Sequence, residues 1–259
     1  MPETTEFAPG TFCWVDGGTT DLAKAKAFYS AVFGWECAVA DDSGYTMCLK
    51  GGKPVAGLYA FDADMMQMGV PPFWLPYVAV ADADATLAKA AAAGAKPMGP
   101  VFEAPGHGRG AAFTDPAGAM CGIWQGAGHK GASLAGEHAA MTWMELQTGD
   151  PAAAGAFYSS LFGWAVDTMP MPGGEYHLFK AGEEQRGGMM GLTAEMAEVP
   201  PNWSVYFQVD DADAFVAAVA RAEGQVVVPV TGIEGVGRFA VLRSADGAHF
   251  SILEPAPMV

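Results

Sequence analysis

Two short stretches place a tryptophan next but one to a carboxylic acid: Trp14-Val15-Asp16 in "FCWVDGG" and Trp143-Met144-Glu145 in "MTWMELQT". Side chains of an extended strand alternate faces, so Trp14 and Asp16 share one face while Cys13 and Val15 take the other. Trp143, Glu145 and Gln147 likewise share a face opposite Met144 and Leu146. An acid beside an aromatic wall suits two kinds of chemistry. Its pKa, raised by apolar surroundings, fits it to move a proton, or it helps hold a planar or cationic ligand through stacking and cation–π contact. The competing structural reading is that the aromatics are core and the acids, expensive to bury alone, are paired.

The elements around these acids occur twice. Shifting the chain by 129 residues superimposes Trp14 on Trp143, Asp16 on Glu145, Asp21 on Asp150 and Phe33-Gly34-Trp35 on Phe162-Gly163-Trp164. Twelve of the 22 positions from 14 to 35 are identical at that offset, and the same shift carries Trp74, Tyr77, Asp82, Gly108-Arg109 and Gly118 onto Trp203, Tyr206, Asp211, Gly237-Arg238 and Gly247. One fixed offset over so long a span marks a tandem duplication. Each copy halves again: strand, Asp cap, helix and glycine stop occur from "FCWVDGG" to Gly34, and again from "PYVAVADADATLAKAAAAGA" to Gly94, each followed by short strands. Asp115-Pro116-Ala117-Gly118 and Ala245-Asp246-Gly247 are hairpin turns. The expected fold class is α+β, with four βαβββ modules in two domains, 8–125 and 139–255. The Gly- and Ala-rich segment 126–138 joins them as a linker.

Composition narrows the partners. Thirteen basic against 29 acidic residues give a formal charge of −16, which repels phosphate backbones and anionic membrane surfaces. A small-molecule ligand is therefore expected, with no nucleic acid and no membrane. The start "MPETTEFAPGTF" lacks a basic region followed by an apolar run, no stretch is apolar enough to cross a bilayer, and the expected location is cytoplasmic. Cys13, Cys37, Cys48 and Cys121 form no CxxC pair and are expected to be reduced, small buried hydrophobes.

"AFYSAVFGW", "AFYSSLFGW", "VAVADADA", "VDDADA", "GRGAAFTDPAGA" and "GRFAVLRSADGA" together make the chain, from about residue 8 to 255, resemble the vicinal oxygen chelate superfamily of glyoxalases, bleomycin resistance proteins and extradiol dioxygenases. Its tandem form is similar to actinobacterial two-domain members called glyoxalase-like or hydroxylase. The resemblance implies an open sheet curled around a cleft in each domain, and a divalent metal held by His or Glu from first and last strands. Here the positions it implies are Trp14, Leu75, Gly57 and Gly122 in the first copy and Trp143, Ser204, Gly191 and Ser251 in the second. None is a good ligand for such a metal, so no metal and no other cofactor is expected. His107, His129, His138, His177 and His249 show no paired spacing; His177 and His249 remain minor cavity candidates.

With the acid-bearing face turned into the cleft, alternation adds Leu75, Tyr77 and Ala79 to the first cleft and Ser204, Tyr206 and Gln208 to the second. Trp124 joins the first from the last strand. The candidate catalytic residues are Asp16 and Glu145 as bases, with Tyr77 and Tyr206 as hydrogen-bond donors or acids. Trp14, Trp143, Gln147, Ser204, Gln208, Trp124, Arg109 and Arg238 are candidate ligand-binding residues. The two arginines either bind an anionic ligand group or pair with Asp16 and Glu145. Three functions fit: sequestering an aromatic or cationic metabolite or antibiotic, metal-independent acid–base catalysis such as cyclisation, isomerisation or hydroxylation, and the metal-dependent lyase or dioxygenase chemistry of the superfamily. The first cleft is expected to take the more apolar ligand. Either a monomer or a homodimer is compatible with the duplication.

Overall fold

The computed structural model describes residues 6–40, 44–171 and 174–257. The first sheet comprises β1 (Phe12–Thr19), β2 (Glu36–Val39), β3 (Thr46–Lys50), β4 (Lys53–Ala60), β5 (Phe73–Ala79), β6 (Lys96–Pro97), β7 (Phe102–Ala104), β8 (Gly108–Thr114) and β9 (Met120–Gly126). The second comprises β10 (Met141–Thr148), β11 (Ala165–Met171), β12 (Gly174–Ala181), β13 (Glu184–Gly191), β14 (Asn202–Gln208), β15 (Gln225–Ile233), β16 (Gly237–Arg243) and β17 (His249–Pro255). Strand order is β2-β3-β4-β1-β5-β9-β8-β6, with β7 beside β8, and β11-β12-β13-β10-β14-β17-β16-β15. Both are open mixed sheets in which β1 and β10 lie in the middle, antiparallel to one neighbour and parallel to the other. The α+β tandem architecture is as the sequence implies.

Four helices of similar design follow the module starts: α1 (Leu22–Phe33), α3 (Ala83–Ala92), α4 (Pro151–Phe162) and α5 (Ala212–Arg221). A short α2 (Ala63–Gln67) sits after β4. Asp21, Asp82, Asp150 and Asp211 each cap a helix by accepting from the backbone N–H three residues on, at 2.9–3.0 Å. α1 and α4 stop at Gly34 and Gly163, whose φ of 69° and 75° only glycine adopts at little cost. Among the described residues no helix is long and apolar enough to cross a membrane.

The two copies exchange contacts reciprocally. Trp35 Nε1 donates to the Ala139 carbonyl at 2.8 Å and Trp164 Nε1 to the Gly10 carbonyl at 2.9 Å, a matched pair at the repeat offset. Phe33 of α1 packs on Phe207 and Phe215 of the second domain, at ring distances of 5.0 and 4.9 Å, and the buried residues of both domains merge into one core. This shared core holds the helix-facing residues of the sheets, such as Cys13 and Val15, and extends to Trp14, Leu75 and Tyr77 on the opposite face of the first sheet. The opposite face of each sheet carries the Trp-x-acid residues.

The cysteines depart from the sequence expectation. Cys37 and Cys48 face each other in register across β2 and β3 and are joined as a disulfide, whereas Cys13 and Cys121 are free and buried. The hairpin brings together two residues 11 apart that carry no local pairing motif.

Candidate functional site

In the first copy, Asp16 is 8 % exposed and Trp14 lies beside it. The Trp14 Nε1–H donates to Asp16 Oδ1 at 2.7 Å, and the Tyr45 hydroxyl donates to the same oxygen at 2.5 Å. The Tyr77 hydroxyl stands near enough to favour the charged carboxyl as well. Burial outweighs these donors and pushes the Asp16 pKa up to about 6. The same burial, with Asp16 nearby, holds the Tyr45 and Tyr77 hydroxyls protonated far above neutrality. Tyr59 of β4 feels the Asp16 charge as well.

The second copy rebuilds this arrangement with a longer acid. Glu145 Oε2 accepts from the Tyr176 hydroxyl at 2.8 Å and Oε1 from the Tyr206 hydroxyl at 3.1 Å, while Trp143 Nε1 donates to the Tyr176 oxygen at 3.0 Å. Burial again raises the carboxyl's pKa, against donors from Tyr176, Tyr206 and Gln147. Around it, Ser204 Oγ lies 3.1 Å from Ser251 Oγ, and Asn202 Nδ2 donates to Gln147 Oε1 at 3.3 Å.

Register explains how both clusters form. Asp16 pairs with Gly57 on β4 and Glu145 with Gly188 on β13. A Cβ at Gly57 would stand 1.7 Å from the Tyr45 hydroxyl and 2.3 Å from Asp16 Oδ1, and one at Gly188 would stand 1.9 Å from the Tyr176 hydroxyl. Gly122, opposite Tyr77, would place a Cβ 2.4 Å from that ring. These glycines leave the room that the tyrosines fill. The position that matches Gly57 is thus Gly188, and the sequence expectation of Gly191 is corrected by three residues.

The superfamily's divalent metal can be tested against this donor set. Its four positions hold Trp14, Leu75, Gly57 and Gly122 in one copy and Trp143, Ser204, Gly188 and Ser251 in the other, with tyrosine in the space beside three of the glycines. Among the described residues no group of three or more His, Cys, Asp or Glu side chains could share a metal ion. Tyrosines that stay protonated and serine hydroxyls do not replace imidazole and carboxylate, so these residues do not fit the group.

Of the sequence candidates, Trp14, Asp16 and Tyr77 meet in one cluster and Trp143, Glu145 and Tyr206 in the other, with Gln147 and Ser204 at the edge of the second. Gln208 lies half-buried at the end of β14, paired with Leu253. Trp124 is buried and donates from Nε1 to the His129 carbonyl at 2.8 Å. The two arginines are elsewhere. Arg109 bonds Asp84 and Glu103, and Arg238 bonds Asp213 and Glu254. They tie β8 and β16 to the acidic first turns of α3 and α5, so neither arginine pairs with Asp16 or Glu145 as expected. His177 hydrogen-bonds Thr168 and lines a groove of about 510 Å³ against α4, apart from the carboxyls. His249 is exposed beside Arg243.

Tyr45, Tyr176, Tyr59 and His129 are cluster residues that the sequence reading missed. Tyr45 and Tyr176 each stand 12 residues before their glycine, but their offset is 131 rather than 129, and the two-residue difference hides the match.

The family description "Glyoxalase/Bleomycin resistance protein/Dioxygenase superfamily" matches residues 14–123 and 138–252, once per copy. The chain belongs to this superfamily. It is 42 % identical over 99 % of both chains to CFP32 of Mycobacterium tuberculosis, which carries a provisional glyoxylase name. It is 33 % identical, over 96 % of this chain and 95 % of the other, to the anthracycline biosynthesis protein DnrV of Streptomyces peucetius. In fold it resembles the Mn(II)-bound glyoxalase of Novosphingobium aromaticivorans, with a TM-score of 0.64 and 19 % identity over 96 % of this chain and 83 % of that one. The 2,3-dioxygenase LapB of Pseudomonas sp. KL28 gives 0.63 and 13 % identity over 95 % and 94 %.

Proposed function

We propose that this superfamily member binds a planar aromatic metabolite bearing carbonyl or hydroxyl groups, without the superfamily's divalent metal, by stacking it on cleft aromatics and hydrogen-bonding its polar edge at a buried carboxyl cluster. One observation carries the reading. In both copies a carboxyl is buried among indole and phenol donors, and among the described residues neither Asp16 nor Glu145 has a cationic partner. A core carboxyl kept twice without an ion pair is expensive, and function is a sound reason to keep it. The name of the Streptomyces peucetius relative, taken from the biosynthesis of planar polycyclic aromatics, supports this ligand class. One chain supplies both domains, so a monomer is the proposed working unit.

The test is titration with alizarin, a dihydroxyanthraquinone, followed by tryptophan fluorescence and by recovery of the ligand. A saturable complex that returns alizarin unchanged is the expected result; no saturable quenching with alizarin or with smaller phenols and quinones would sink the reading.

A second reading is metal-independent proton transfer, favoured by the placement of the Asp16 pKa at about 6 beside the Tyr77 hydroxyl. A base is most effective near working pH. Asp16→Asn and Glu145→Gln would then abolish turnover of a bound aromatic while leaving its binding intact. Unchanged turnover in both variants would exclude this role.

A further inference from the structure

The two clefts carry the same kind of cluster, yet the chain treats them differently. After β9, residues 127–140 run back across the first domain. Ala132 N–H donates to the Cys13 carbonyl and Ser133 N–H to the Pro54 carbonyl, each at 2.8 Å, and Lys50 pairs with Glu137 at 2.9 Å. The segment thereby closes over the starts of β1 and β4, with Ala132 fully buried and Leu134 7 % exposed. The His129 ring stands edge-on against Trp14 at 4.5 Å and lies 6.0 Å from Trp124. It fills the end of the first cleft. Its Nε2 is buried and has no hydrogen-bond partner.

Among the described residues no ring stands against Trp143 as His129 stands against Trp14. Both copies leave their last strand alike, with Ala127 N–H on the His107 carbonyl at 2.8 Å and Ala256 N–H on the Val236 carbonyl at 2.9 Å. Exposure follows the difference. Trp14, Leu75 and Ala79 are 5, 3 and 8 % exposed and Gly18 is buried, whereas their counterparts Trp143, Ser204, Gln208 and Gln147 are all partly open. Substitution at matched positions runs the same way, with Asn202 for Phe73 and Met190 for Tyr59.

We infer that the ligand enters the second cleft and that the first has been closed by the inter-repeat segment into a structural element. This rests on the small-molecule reading above and narrows it. Trp143 and Met190 provide the stacking wall. The amide and hydroxyl groups of Gln147, Asn202, Ser204 and Gln208 surround it with donors and acceptors, so the ligand is an aromatic with several oxygen substituents on its rim rather than a bare hydrocarbon. Ring stacking supplies affinity, and a polar rim that leaves buried amides unpaired rejects unsubstituted rings.

Hydroxyl-radical footprinting of the intact protein, read by mass spectrometry, tests the asymmetry without any ligand. Trp143 is expected to oxidise severalfold faster than Trp14, and His129→Gly to raise the Trp14 rate while leaving Trp143 unchanged. Equal rates at the two tryptophans overturn the inference. With alizarin present, protection of Trp143 and not Trp14, lost in Ser204→Leu, supports it; protection of Trp14 overturns it. If alizarin protects neither while the rates stay unequal, the ligand class proposed above fails and the closure of the first cleft stands.

Discussion

The two carboxyl clusters solve one problem with different restraints. Asp16, with its short arm, stays next to its own strand and takes Trp14 Nε1 and Tyr45 on the same oxygen. Glu145, one methylene longer, leaves Trp143 to the Tyr176 hydroxyl and reaches tyrosines from two different strands. Tyr176 belongs to a β11–β12 ladder of seven paired positions. Tyr45 lies just outside a β2–β3 ladder of four, which carries the Cys37–Cys48 disulfide instead. A duplicated site thus keeps its buried acid and its tyrosine while the means of holding the tyrosine changes, from a long ladder to a short one with a covalent clip.

The largest effect should come from filling the space at the glycines. Gly57→Ala drives a methyl into both Tyr45 and Asp16, combining overpacking with a lost buried hydrogen bond, for a loss of about 3–5 kcal/mol in urea unfolding. Gly188→Ala meets Tyr176 at 1.9 Å and Trp143 Nε1 at 3.0 Å but no carboxyl oxygen among its nearest atoms, and should cost about 2–3 kcal/mol. Equal losses would mean that the longer glutamate gives its cluster no extra tolerance.

Next in size is a pair of opposed pH dependences that exists only in the first copy. Asp16 has its pKa raised from 3.8 to about 6, so its contribution to stability is complete below 3.8 and is lost as pH rises through 6. His129 is lowered from 6.5 to about 4 by burial and by His107, so its contribution is complete above 6.5 and is lost as pH falls through 4. Each spans about 3 kcal/mol by linkage, and the two largely offset each other between pH 4 and 6.5. Removing either exposes the other. Asp16→Asn should become more stable relative to wild type as pH rises from 4 to 6, and His129→Gln more stable relative to wild type as pH falls from 6.5 to 4. Parallel profiles for wild type and both variants would show that neither group titrates with folding.

How far these features could be read in the sequence depended on whether they lie within one module. Helix caps such as Asp21 and Asp150, the glycine stops and the Asp115 turn are local, so residue type and spacing revealed them. Trp14 with Asp16, and Trp143 with Glu145, needed only strand alternation. Tyr77 and Tyr206 needed the resemblance to bring a second strand alongside. Tyr45 and Tyr176 escaped because they come from hairpins of unequal length, where a fixed repeat offset fails. His129 escaped because a Gly- and Ala-rich segment reads as a spacer, and only its path across β1 brings the ring onto Trp14. Arg109 and Arg238 were misplaced for a related reason: alternation along β8 and β16 does not reveal the acidic first turns of α3 and α5 that claim them.

A smaller effect separates the hairpins themselves. Opening the Cys37–Cys48 bridge, by a dithiol reductant or as Cys37→Ala/Cys48→Ala, frees a loop of 11 residues and should cost about 2–3 kcal/mol if loop closure dominates. The loss should be local first. Hydrogen exchange should quicken in residues 44–50, which carry Tyr45, and stay unchanged in 174–181, which carry Tyr176. The test is a difference within one molecule, so a general loosening of the fold cannot imitate it. Alkylation of the denatured, unreduced protein sets the baseline: two reactive thiols, Cys13 and Cys121, are expected, and four would show that the clip is not formed in solution. The least effect is expected at the hydroxyls. Tyr45→Phe removes one donor from an acid that keeps the Trp14 Nε1–H, costing about 1–2 kcal/mol above pH 6, where Asp16 is charged, and little at pH 4, where it is protonated. Tyr176→Phe should cost more than Tyr45→Phe: both hydroxyls serve their acid and receive a tryptophan N–H, but Trp14 keeps Asp16 Oδ1 as a second acceptor, whereas among the described residues Trp143 Nε1 bonds the Tyr176 oxygen alone. A larger loss for Tyr45→Phe would reverse this order and place the main restraint on Asp16 in its hairpin rather than in its own strand.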